Sequence, residues 1–300
     1  MLSTFIRVAV ALSSAAILCS CGGNSVAETQ QSTPEGLFSG TYAVTMTQSS
    51  SANKVTCAHN VLTFVEASGT VYTFYPSAAD PAVVTTADQG SLSFSGGVMA
   101  SANTLELNLP GSTTLGCPGA ITPSGVYSYG MNGTYVVGST LTETLIYPSA
   151  DANGWTNSTT TLNSATTPVT TMVYDIDYQG VQNLATLAGT YTGMVGTSQK
   201  KEAATFTISP PSVPANGGNA LGVSLLAGTG ASGCAYTGSV SPLYKGNGYT
   251  VLITSGPSPC LLPNQQFSGL MYLNAKTNIL YTFAPNQART DGVIFSGTRS

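Results

Sequence analysis

The chain has 300 residues, of which only 7 % are charged and 42 % hydrophobic, with a formal net charge of −4. Charge this sparse, with Lys54, Lys200, Lys201, Lys245, Lys276, Arg289 and Arg299 scattered along the chain, excludes the concentrated basic footprint that nucleic-acid binding needs. The apolar fraction is too high for a disordered tail, so the chain reads as an extracytoplasmic protein rich in Gly, Ser, Thr, Asn and Tyr.

The first element is an apolar run from Val8 to Leu18 preceded by Arg7, about 11 residues and so too short to span a bilayer as a helix. It ends in Leu18-Cys19-Ser20-Cys21-Gly22-Gly23, with a small residue before Cys21 and a leucine three positions ahead of it. This segment resembles the signal sequence and processing box of bacterial lipoproteins. The resemblance implies removal of residues 1–20, acylation of Cys21 and a membrane anchor through the lipid, with several acyl chains holding it stably. Gly22 in place of an aspartate implies the outer membrane of the cell envelope. Residues 21–36 are polar and aperiodic and read as a flexible tether.

The remainder reads as all-β, with two small antiparallel barrel or sandwich domains in tandem over residues 37–180 and 186–300. Strands are predicted over 41–46, 61–65, 71–75 and 105–109, with a turn at Ala67-Ser68-Gly69 and a hairpin across 135–147. Leu105-Glu106-Leu107-Asn108-Leu109 alternates, and is read as apolar inward and polar outward. Met172 to Tyr178 reads as the last strand of the first domain, and Gln179 to Leu187 as a short helix near the join. Strands follow over 204–208, 221–225, 249–253, 269–273, 279–283 and 293–297, with Lys276-Thr277-Asn278 as a meander turn. The phrase Phe38-Ser39-Gly40-Thr41-Tyr42 returns as Leu187-Ala188-Gly189-Thr190-Tyr191, and aromatic-small-Gly triplets recur at Phe94, Tyr236, Phe267 and Phe295. Glycine at such places allows a sharply bent strand or a close approach of backbones. These openings resemble those of lipocalin-like small β-barrels; the close succession of the strands favours barrels, and opposed sheets would give nearly the same sequence signal.

Four cysteines remain in the body: Cys57, Cys117, Cys234 and Cys260. In an oxidising compartment they predict two disulfides, paired in sequence so that each stays within one domain. No C-x-x-C spacing exists in the body to suggest a thiolate metal site, and no cofactor is expected.

Catalytic inventory is thin. The one histidine, His59, follows Cys57 by two residues, the G-x-S-x-G pattern is absent, and no lysine-bearing phosphate loop occurs. No catalytic residue is assigned. Asp175 and Asp177 would share one face of a strand, where they could bind a cation or serve a hydrolase, or equally form the polar face of an edge strand. Asp80, Asp88 and Asp151 read as loop acids. Trp155, in a polar stretch, is the aromatic candidate for a binding surface. The expected role is non-catalytic binding of an envelope protein, a glycan or a small apolar ligand. A structural or surface-coat role and an envelope hydrolase are the alternatives.

Overall fold

The computed structural model describes residues 33–47, 54–111, 124–146, 170–180, 183–212 and 222–300. Cys21, Cys117, Asp151 and Trp155 lie outside the described residues. The protein is all-β, with two closed antiparallel barrels in tandem.

The first barrel is built from β1 (Gly36–Thr47), β2 (Lys54–Val65), β3 (Thr70–Pro76), β4 (Val84–Ser91), β5 (Ser93–Ser95), β6 (Val98–Asn108), β7 (Gly125–Val136), β8 (Thr140–Ile146) and β9 (Thr170–Tyr174). Consecutive strands pair from β1 to β4 and from β6 to β9, with short β5 paired only to β6; β9 returns to β1 through Gly40↔Met172, and β4 meets β6 through Asp88↔Glu106. The second barrel is a simple meander of β10 (Gly189–Gly196), β11 (Lys201–Ile208), β12 (Ser224–Gly230), β13 (Ala235–Pro242), β14 (Gly248–Ser255), β15 (Gln266–Asn274), β16 (Ile279–Pro285) and β17 (Gly292–Arg299). The two related phrases found in the sequence both lead into the first strand of a barrel. At the seam of the second barrel Gly193 stands opposite Gly297. A Cβ on Gly193 would meet the Ser296 carbonyl oxygen at 1.9 Å, so any side chain there would force the seam apart.

Three sequence expectations are corrected. Asp175 and Asp177 do not lie on a strand: β9 stops at Tyr174, and Ile176–Gln179 form a 3-10 turn capped by the Asp175 side chain, which accepts from the Asp177 amide. The helix expected over 179–187 reduces to this turn and one α-helical turn, α1 (Leu184–Leu187), capped by Asn183. The strand expected over 221–225 begins only at Ser224.

The second barrel is filled. Phe206 and Phe295 stack in its interior with centroids 4.2 Å apart, and Tyr191, Phe267, Val240, Val251 and Ile253 pack in the same core. One end is stopped by Leu184 and Leu187 of α1, where the Tyr191 hydroxyl donates to the Leu187 carbonyl at 2.7 Å. The other end is stapled by the Cys234–Cys260 disulfide, as sequential pairing predicted. Beside it remains a cavity of about 20 Å³, room for a single water molecule.

Residues 31–300 form one compact unit, because the barrels share a core. From the first barrel come Leu62, Phe64, Tyr72, Phe74, Val84, Ala87, Leu105 and Leu107; from the second, Leu270, Tyr272, Ile279, Tyr281, Phe283 and Ile294. Phe74 meets Tyr281 at 5.8 Å between centroids, and Phe64 meets Tyr272 at 6.4 Å. Polar bonds fix the register: the Val84 amide donates to Ser296 Oγ at 3.1 Å, and Arg289 Nη1 donates to Gln89 Oε1 at 2.6 Å. Strands β3 and β16 are consequently buried on both faces.

A shared core makes the barrels unfold together. Phe74→Ala is expected to lose about 3–5 kcal/mol and to split one calorimetric transition of the full chain into two. Two transitions already present in the unmutated chain would refute cooperative coupling. The Cys234–Cys260 bridge spans a sequence separation of 26. The double change Cys234→Ser, Cys260→Ser should therefore lower the stability read from urea midpoints by about 3–4 kcal/mol on the loop-entropy scale.

Candidate functional site

Strand parity places Thr63, Thr73, Asp88, Glu106, Asn108, Tyr127, Tyr129, Met131, Leu141 and Glu143 on the lumen side of the first barrel. Its lower half is apolar, where Phe38, Val65, Val71, Met99, Tyr135, Leu141 and Met172 pack together. Above this floor the lumen turns polar. Thr63 and Thr73 share a hydroxyl bond of 3.1 Å between β2 and β3.

Three carboxyl groups occupy the polar section. Asp88 is 1 % exposed, Glu106 4 % and Glu143 2 %. Asp88 Oδ2 accepts from the Tyr75 hydroxyl at 2.6 Å and also from the Tyr129 hydroxyl. Glu106 Oε1 accepts from Asn108 Nδ2 at 2.5 Å, and Asn108 Oδ1 in turn accepts from Thr86 Oγ1 at 2.7 Å. Asp88 Oδ1, Glu143 Oε2 and the Tyr135 hydroxyl are buried without a hydrogen-bond partner. Burying a polar group without a partner costs about 1–3 kcal/mol and more when it is charged.

The electrostatics follow from this enclosure. Burial, reinforced by the neighbouring Glu106 charge, pushes the Asp88 carboxyl well above the usual range, and the Tyr129 and Tyr75 bonds offset only part of that. Burial alone carries Glu143 up to about 7. Among the described residues no three His, Cys, Asp or Glu side chains converge in a way that could hold a metal ion.

Two readings of the sequence are reversed here. Glu106 and Asn108 face the lumen, whereas Leu105 and Leu107 face outward into the shared core, the opposite of the expected orientation. Asp88 is a strand residue of β4, not a loop acid. For Glu143 a signal existed: it stands at the same strand parity as Leu141, and so on an apolar face. For Asp88, in Thr85-Thr86-Ala87-Asp88-Gln89-Gly90, the local pattern is too weak to assign a face.

The acids singled out from the sequence have other duties. Asp177 pairs with Lys276 at 2.7 Å, and Asp175 holds the turn after β9, so neither joins the luminal carboxyls. Cys57 stands in β2 opposite Val44, and His59 opposite Tyr42. An open groove of about 370 Å³ runs past Ser39, Asn60, Pro76 and Tyr281. The Tyr281 hydroxyl there donates to the Pro81 carbonyl at 3.0 Å. No family model, curated protein or solved structure matches the chain.

The raised Glu143 pKa fixes the sign of a stability effect. Between about 4.5 and about 7 the folded state binds this proton more tightly than the unfolded state, so stability falls as pH rises through that window. Glu143→Gln removes the penalty. It is expected to stabilise the protein at pH 8 by a few kcal/mol, roughly 3 from the displacement, and to change little at pH 4. Denaturant unfolding of both forms at the two pH values checks this, and an equal effect at both would refute the assignment.

Proposed function

We propose that the protein is a lipid-anchored, non-catalytic binding protein of the bacterial outer membrane, with the first barrel as its binding module. The supporting observation is the contrast between the barrels. The second is packed with aromatic and aliphatic side chains, and its buried oxygens without partners include the neutral hydroxyls of Ser224 and Thr282, whereas the first keeps carboxyl oxygens of Asp88 and Glu143 without partners. A barrel interior of eight strands is wide enough to be filled by side chains or to hold one small ligand. Unpaired acceptors in an enclosed lumen favour the second use, because a ligand that satisfies them recovers the free energy their burial withholds.

Anchoring follows from the Leu18-Cys19-Ser20-Cys21 sequence, in which Cys21 receives the lipid and the polar tether after it holds the barrels off the membrane. The engagement of Asp177 by Lys276 and of Asp175 by the turn supports the binding reading over the paired-carboxylate hydrolase.

Protein purified from its own envelope is expected to carry additional mass in a native spectrum that is lost on denaturation. Identical native and denatured masses would instead favour the structural-coat role. Cys21→Ser should move the protein out of the membrane fraction, and its retention there would refute the lipid anchor.

A further inference from the structure

Among the described residues ten large hydrophobic side chains stand exposed, and six of them, Val98, Val136, Val137, Val173, Ile176 and Tyr244, gather where the chain enters the first barrel. Val136 and Val173 flank Thr140 from β7 and β9, on the outward face, since their neighbours Tyr135, Leu141 and Met172 fill the lumen. Val98 stands opposite Thr134, two positions before Val136. Ile176 lies in the turn after β9, where the Asp175 amide donates to the Leu37 carbonyl of β1. Tyr244, 91 % exposed, comes from the β13–β14 turn of the second barrel. Its neighbour Lys245 pairs with Glu35 at 3.5 Å, which brings that turn to the first residues of β1. Single exposed apolar residues are ordinary, whereas a group of them marks a surface with an occupant.

We propose that this rim docks on the surface of the lipid bilayer that holds the acyl chains of Cys21. The proposal rests on the lipid-anchor reading given above and adds to it the orientation of the barrels on the membrane. About 15 residues separate Cys21 from Gly36, the first residue of β1. A polar segment of that length spans roughly 20 Å on average and about 50 Å when fully extended. The rim surrounds the point from which this segment departs, so it is the part of the protein kept nearest the lipid. Tethering also raises its local concentration at the bilayer, so that a weak contact becomes an occupied one.

The chemistry of the rim suits a bilayer. Tyrosine sits well at the headgroup level, with its ring in the apolar boundary and its hydroxyl in water. Lys245 and Lys276, 58 % and 67 % exposed, flank the apolar residues and can extend their ammonium groups to lipid phosphates. The acids at this end are engaged: Glu35 by Lys245, Asp177 by Lys276, Asp175 by the Asp177 amide and Glu66 by the Ser68 hydroxyl. Between the valines stand Thr134, Thr140 and Thr142, which add hydroxyls and no charge. The tether is a poor substitute occupant, because from Gly22 to Ser32 it offers only Val26 and Ala27 as apolar side chains. Binding of this shallow kind scales with the apolar area buried. The rim therefore orients the protein, while the acyl chains hold it.

The test places the acylated chain in phosphatidylcholine vesicles whose acyl chains are brominated, with a thiol-reactive fluorophore at Val136→Cys, Val173→Cys or Tyr244→Cys in turn. The parent chain treated in the same way sets the background. Bromine is expected to quench each of these probes by at least half. It should leave unchanged a probe at Gln199→Cys, in the β10–β11 turn at the disulfide end of the second barrel. Val173→Asp combined with Ile176→Asp, both at exposed positions, should remove most of the quenching at 136. Unquenched probes at 136, 173 and 244 on a chain that mass spectrometry shows acylated at Cys21 would overturn the docking and leave the anchor in place. An unacylated Cys21 would overturn both. The mature acyl-free chain, Cys21→Ser, is expected to sediment as a monomer. A dimer that the two aspartates dissociate would overturn the proposal and assign the rim to a second copy of the chain.

Discussion

The shared core between the barrels is the constraint from which the rest follows. Outward residues of β2, β3, β4 and β6 pack against outward residues of β15, β16 and β17, so neither barrel presents this face to water. A barrel strand ordinarily needs one apolar face, the inner one. Here β3 and β16 need two, and Val71-Tyr72-Thr73-Phe74-Tyr75 and Ile279-Leu280-Tyr281-Thr282-Phe283 supply them, with threonines on the inward positions. The exterior apolar surface of the first barrel lowers its dependence on its own interior for stability. That interior is thereby free to hold polar groups that an isolated barrel of this size would have difficulty burying.

The second barrel shows the opposite allocation. Its strands β11 and β12 alternate strictly between buried and exposed residues, with Ala204, Phe206, Ile208 and Leu226 inward and Thr205, Thr207, Ala227 and Thr229 outward. Its interior is closed by α1 at one end and by the Cys234–Cys260 bridge at the other. It is a packed body with one face committed to its neighbour. A packed barrel of this kind serves as a support, and the support is what lets the adjoining barrel carry unpaired acids without collapsing around them.

The difference in allocation explains what the sequence revealed and what it concealed. The all-β class, most strands, the turns at Gly69 and Asn278 and the Cys234–Cys260 pairing were all readable, because turn residues, alternation and cysteine arithmetic are local signals. Orientation was not. Alternation in Leu105-Glu106-Leu107-Asn108-Leu109 shows that two faces differ, but it does not say which face meets water, the lumen or another domain. The reading of leucine as inward holds only when the outside is solvent. Here the outside is Tyr272, Tyr281 and their neighbours, more than 150 positions away in sequence. The doubly apolar runs of β3 and β16 were the available clue that both faces were covered. Asp175 and Asp177 misled for a related reason: their spacing suits a strand, yet the chain leaves the sheet at Tyr174 and turns.

Buried carboxyls of this kind are seldom retained for stability. Asp88 and Glu143 each keep an oxygen without a donor, and Asp88 is raised further by the charge of Glu106 beside it. Leucine or glutamine in their place would relieve the desolvation without altering the strand ladder. Tyr75 and Tyr129 nevertheless converge on a single oxygen of Asp88, a geometry that orients the carboxyl instead of neutralising it. One oxygen thus carries two donors and the other none. A proton on the open oxygen relieves part of the cost of burial, which is what the upward displacement of the Asp88 carboxyl expresses.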